Sequence, residues 1–134
     1  SSGNWVRVAS LDAVPTDGRP VRFPVIAKRT DAWSAYPPEP IGSVYLRRTA
    51  EGETPVAHTT VCPHLGCSVD YRPAQDCFLC PCHNSEFTVE GARTDPEESP
   101  SPRDMDTVEV KIENGQVLVD YRNFKGGVEA KVEE

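Results

Sequence analysis

Cys62-Pro63-His64-Leu65-Gly66-Cys67 and Cys80-Pro81-Cys82-His83-Asn84-Ser85-Glu86-Phe87 are the two stretches on which the reading of this 134-residue chain turns. Each sets a thiolate beside an imidazole on one tight loop, as Cys-x-His in the first and Cys-x-x-His in the second. Two such loops facing each other offer four ligands, Cys62, His64, Cys80 and His83. Thiolates suit zinc and iron-sulfur clusters, and imidazole suits zinc and iron alike. Ligand type alone therefore leaves a structural zinc site and an iron site both open. Between Cys62 and Glu90 the alternating pattern of the rest of the chain is lost, so this stretch reads as a subdomain inserted into a larger frame.

The frame reads as β. Short apolar runs are broken by Pro and Gly, and none sustains helical spacing. Strands are expected at Trp5 to Ala9, Val21 to Ala27, Ser43 to Arg48, Val56 to Val61, Thr107 to Ile112 and Val117 to Tyr121. The last two form the clearest hairpin, because Asn114-Gly115 between them suits a turn with positive φ. Prolines, 13 in all, gather in Tyr36-Pro37-Pro38-Glu39-Pro40 and again between Asp95 and Pro102. Lacking an N–H, they are expected in rigid surface loops rather than central strands. Trp5, Trp33 and the tyrosines are expected to serve packing, and His58, in a strand-like run without a cysteine partner, to be structural. Cys77 is expected to be a buried free thiol.

Composition narrows the function classes. A net charge of -7, with no basic stripe, argues against nucleic acid as a partner. No apolar run approaches the roughly 20 residues that span a bilayer. The start at Ser1-Ser2-Gly3, without methionine, is expected of a processed chain whose upstream targeting or anchoring segment has been removed.

The spacing Cys-x-His-x-x-Cys followed by Cys-x-Cys-His, with Leu65-Gly66 and Pro81, resembles the Rieske family. The resemblance implies an all-β fold, an antiparallel β-sandwich or barrel with a small inserted cluster-binding subdomain of two loops. One domain over 1–134 would then divide into a base of 1–60 and 93–134 and a subdomain of 61–92. It implies a [2Fe-2S] cluster with Cys62 and Cys80 on the inner iron and His64 and His83 on the outer one. It also implies a disulfide between Cys67 and Cys82, and hence an oxidising compartment at the periplasmic or outer face of a membrane. Ser85 matches a serine that donates to a bridging sulfide in the respiratory branch of the family. Phe87 stands where that branch usually has a tyrosine donor, so the potential is expected to be lower than in ubiquinol-oxidising relatives, which suits a menaquinol-like donor. Asn84 replaces a usual glycine. Leu65 and Gly66 flank the ligand His64, Leu65 as an apolar lid, and Ser99-Pro100-Ser101-Pro102 looks like the family's proline-rich loop.

The function so implied is one-electron transfer coupled to protons, with His83 and His64 in contact with quinol. The chain would be the cluster-bearing subunit of a bc-type quinol-cytochrome c oxidoreductase, beside b-type and c-type cytochrome subunits and held by an N-terminal membrane anchor. The residues 121–128 look similar to the ends of menaquinol-type members. Two alternatives are the small subunit of an arsenite-oxidase-like molybdenum enzyme and a soluble ferredoxin of an aromatic-ring dioxygenase. The disulfide pair ranks the ferredoxin last.

Overall fold

A computed structural model describes residues 3, 5–27 and 37–134 of the chain, and Trp33 and Tyr36 lie outside the described residues. The fold is all-β, with antiparallel sheets and no α-helix among the described residues. Two compact units emerge, one of Ser1–Ala57 with Val108–Tyr121, the other of His58–Thr107 with Arg122–Glu134. The chain passes between them within strand β4 (Val56–Thr59), within strand β8 (Thr107–Val108) and after Tyr121. Residues 93–107 and 122–134, expected in the base, thus group with the two Cys/His loops. The backbone explains this grouping: Met105 donates to the Gly91 carbonyl, and Gly127 to that of Pro63.

In the first unit, β1 (Trp5–Ser10) pairs with β10 (Gln116–Asp120), which pairs with β9 (Val110–Glu113). The β9–β10 turn holds Asn114 and Gly115 at φ of 50° and 71°, the primed geometry that matches strand twist. The expected strand Thr107 to Ile112 is interrupted at Glu109, whose carbonyl takes the Asp120 N–H. A second antiparallel pair joins β2 (Val21–Ala27) to β3 (Glu39–Arg47). One proline departs from the expected loops, Pro40, which lies inside β3 opposite Ile26, while Pro24 lies inside β2 within the expected strand Val21 to Ala27. β2 is an edge strand, where a missing N–H breaks no ladder. Val25, Val44, Leu46, Val117 and Val119 are fully buried, each such burial contributing about 1.5–3 kcal/mol. Tyr121 packs so closely over Gly42 that any side chain there would strike its hydroxyl.

In the second unit, β5 (Asp70–Arg72), β6 (Cys77–Cys80) and β7 (Ser85–Thr88) form a three-stranded antiparallel sheet in that order. This sheet occupies the stretch between Cys62 and Glu90, where the sequence shows no alternation like that of the other strands. Phe78 and Phe87 pair across β6 and β7 and are fully buried, and Tyr71 meets Phe78 edge-on at 5.6 Å. Such aromatic contacts add to burial and anchor a sheet whose strands are only three or four residues long.

Candidate metal centre

The first Cys/His loop closes on itself. Cys62 donates to the Cys67 carbonyl, Gly66 donates to that of Cys62, and Val61 bridges Ser68 at the neck. β4 accordingly ends at Thr59 rather than continuing to Val61, because the Thr60 carbonyl accepts from Val69 instead. Gly66 sits at φ 84°, where a side chain would be strained. The second loop is the tip of the β6–β7 hairpin. Cys80 and Ser85 are its last paired residues, and Pro81, Cys82, His83 and Asn84 make the turn. Asn84 takes φ 62°, the positive value that glycine would otherwise supply and that Asn accepts better than most residues.

The two loops come together as pairs of like groups. Cys62 and Cys80 are buried, at 1% and 2% exposure, and their thiols are hydrogen-bonding neighbours. His64 and His83 meet edge-on with ring centroids 4.9 Å apart, the first half-buried and the second exposed. Sulfur therefore lies inside and imidazole outside. A disulfide joins Cys67 to Cys82, as expected, with Cα atoms 6.6 Å apart. The Cys80 sulfur lies within 4.8 Å of both disulfide sulfurs, which are spent as thiolate donors.

Burial pushes the Cys62 thiol up to about 11, and the neighbouring Cys80 adds to this, while the His64 backbone amide and the Ser85 hydroxyl oppose it. At neutral pH a free Cys62 thus keeps its proton, and a metal must displace it. Ser85 is fully buried beside Cys62, yet its Oγ finds no hydrogen-bond partner of ordinary geometry in the protein. A buried hydroxyl without an acceptor is costly, and one aimed among cysteine sulfurs fits a sulfur-rich group that accepts its proton. Phe87 shares the buried face of β7 with Ser85 and offers no hydroxyl. Leu65 is 64% exposed, so its apolar surface beside His64 faces outward.

Arg103 and Asp106 form a buried two-pronged ion pair, with Nε and Nη2 each 2.8 Å from a carboxylate oxygen. No sequence motif marked them, although an Arg three residues before an Asp in a proline-rich segment is the available signal. Ser101, in the proline-rich loop, is buried and donates to the Arg103 carbonyl. His58 is buried against Phe78 and Gly91, in keeping with a structural role. Cys77 is a free thiol but half-buried rather than buried, because β6 turns it away from the Phe78 side.

The Rieske [2Fe-2S] domain profile matches residues 4–118. The menaquinol:cytochrome c reductase iron-sulfur subunit of Geobacillus thermodenitrificans is 31% identical over 126 residues, covering 92% of this chain and 70% of that one. The cytochrome b6-f complex iron-sulfur subunit of Chlorobaculum tepidum is 35% identical over 68 residues, or 51% of this chain and 36% of that one. In fold, the chain is similar to a quaternary ammonium Rieske monooxygenase, with a TM-score of 0.56 at 16% identity, over 88% of this chain and 33% of that one. Profile, relatives and donor set agree on the cofactor, and the chain belongs to the Rieske [2Fe-2S] domain family as an electron carrier with a Rieske-type cluster.

Proposed function

We propose that this chain accepts electrons, together with protons, from a menaquinol-like quinol and passes them to a c-type cytochrome as the cluster-bearing subunit of a bc-type complex. Its ligands are Cys62 and Cys80 on the inner iron and His64 and His83 on the outer one. The observation that carries this reading is the split of the donor set: both cysteines are buried, whereas His83 is exposed and His64 half-buried against it. Bound there, a Rieske cluster supplies a one-electron couple at roughly -150 to +300 mV. His64 and His83 each present one ring nitrogen to metal and keep the other for a proton, at the face a quinol hydroxyl can reach. Leu65 lays an apolar surface beside that proton site, suited to a quinol ring. Ser85 directs its hydroxyl inward at sulfur, and Phe87 withholds a second donor, which favours the lower end of the range.

The name of the Geobacillus relative, a menaquinol:cytochrome c reductase subunit, supports the same donor and acceptor. No helix among the described residues is long and apolar enough to cross a membrane. Placement at the periplasmic or outer face, through an N-terminal anchor, is part of the proposal and rests on the Cys67–Cys82 disulfide. Potentiometric titration followed by electron paramagnetic resonance at several pH values tests the reading. We expect a Rieske signal whose potential falls with alkaline pH as the imidazoles lose protons. A potential flat into strongly alkaline solution would remove the proton-coupled role of His64 and His83.

A further inference from the structure

The residues after Tyr121 lie beyond those the family profile matches, yet they form a closed element of the second unit. Lys125 donates to the Val132 carbonyl and Glu134 to that of Asn123, while Phe124 bridges Glu133. Arg122 holds both carboxylate oxygens of Glu133 at 2.8 Å. Lys131 sets its ammonium over the Phe124 ring at 4.7 Å and donates to the Thr107 carbonyl. Arg103, already paired with Asp106, donates from Nη1 to the Val128 carbonyl at 2.9 Å. Every one of these ties is made within 103–134, and together they stiffen a loop whose outer bend is Gly126-Gly127.

That bend rests on the first ligand loop. The Gly127 amide donates to the Pro63 carbonyl at 2.8 Å, and a Cβ built on Gly126 would lie 3.1 Å from the His64 carbonyl oxygen. Around this contact the two segments diverge to line a cavity of about 320 Å³ that includes Cys62, His64, Arg122 and Phe124. Gly127 has φ 77°, a conformation that lets its N–H point at the loop without a side chain intervening. The segment therefore holds the Pro63 carbonyl by a hydrogen bond and lies against the His64 carbonyl, the two groups that flank the His64 Cα.

We propose that residues 122–134 are a strap that positions the first ligand loop, acting through the Pro63 and His64 carbonyls on the orientation of the His64 imidazole. This rests on the reading of His64 as a ligand. Although Gly126 is exposed, a Cβ there would sit closer to the His64 carbonyl oxygen than ordinary contact allows, so a side chain must push either the strap or the His64 backbone by a few tenths of an ångström. A shift of the backbone turns the ring with it. The pins at Arg122 and Arg103 decide how much of the displacement reaches the loop.

The test compares the cluster-loaded full chain with Gly126→Val, Arg122→Gln, Arg122→Lys and, at an exposed position of the same segment, Glu129→Gln. Electron paramagnetic resonance g-values, midpoint potential and iron loss to a chelator are read beside the thermal midpoint. We expect Gly126→Val and Arg122→Gln to shift the g-values and potential and to speed iron loss by about fivefold, as local strain in a ligand loop would. Arg122→Lys should restore part of the shift and Glu129→Gln should match wild type. In the metal-free chain, hydrogen exchange at the Gly127 amide should quicken in the same two variants. Wild-type g-values, potential and iron loss in both, with only the thermal midpoint lowered, would reduce the strap to ordinary packing. Should Gly126→Val not fold, the Arg122 pair decides alone. Absence of a Rieske signal from wild type would overturn the ligand assignment and the strap with it, whereas unchanged variants beside a normal wild-type signal overturn the strap only.

Discussion

Replacing Ser85 with alanine isolates one hydroxyl whose worth reverses sign with the state of the site. The residue is fully buried, and its Oγ has no hydrogen-bond partner of ordinary geometry within the protein, only the Cys62 sulfur as a weak acceptor nearby. In the metal-free chain such an atom carries an unpaid desolvation of about 1–3 kcal/mol, so Ser85→Ala should leave stability unchanged or raise it. With sulfide present the hydroxyl has its acceptor, and that acceptor becomes more negative on reduction. A hydrogen bond stronger in the reduced state by about 1–2 kcal/mol corresponds, at 59 mV per tenfold for one electron, to a potential lower by about 40–85 mV in the variant. Redox titration of the loaded protein reads the second effect, and thermal unfolding of the metal-free protein reads the first. An unchanged potential, or a metal-free variant clearly less stable than wild type, would refute the assignment of Ser85 as a donor aimed at the cluster's sulfur.

Three further outcomes follow from named contacts. Cys82→Ser opens the Cys67–Cys82 link, which spans a sequence separation of 15, and should remove about 3 kcal/mol of loop constraint; chelator-driven iron loss should accelerate, and an unaltered half-life would contradict a clamping role. Burial holds the Tyr121 phenol above its ordinary value, so the unfolded chain ionises first as pH rises. Its stabilising share is complete below about pH 10 and is lost as pH climbs through the raised value, and Tyr121→Phe should flatten that alkaline fall in thermal melts. Gly91→Ala meets both a φ of 85° and the His58 ring, and should destabilise by about 2–4 kcal/mol in denaturant titrations. Measured in a His58→Ala background, where the ring is gone from both proteins compared, Gly91→Ala should cost only the backbone strain of about 1 kcal/mol.

Much of this could be read from residue order because the deciding features are local. The two Cys/His loops lie within a few residues of themselves, and spacing alone brought Cys62, His64, Cys80 and His83 forward. The Asn114-Gly115 hairpin was equally plain, since its turn chemistry and its alternation agree. What stayed hidden was short or non-local. Strands β5, β6 and β7 escaped because Cys77–Cys80 and Ser85–Thr88 are only four residues each and their alternation is carried by Cys, Phe and Ser rather than by Val or Ile. The Phe78–Phe87 pair that holds them is visible only once the hairpin is formed. Pro40 misled because it closes a run of prolines that reads as loop, whereas it is the second residue of β3, at the end of the strand where its pairing with β2 begins. Arg103 and Asp106 gave little signal, since nothing in an Arg-x-x-Asp spacing announces that both side chains will be buried.

The outward face at Leu65 bears on how fast such a carrier can work. An apolar side chain 64% exposed beside a half-buried imidazole offers far less surface than a lasting interface buries, and so suits brief encounters with a redox partner. A small interface means rapid dissociation, and affinity among related complexes is set mostly by how quickly they part. Enlarging the patch, for instance with an added aromatic ring at position 65, would lengthen each visit and so slow the delivery of successive electrons, even while binding improved.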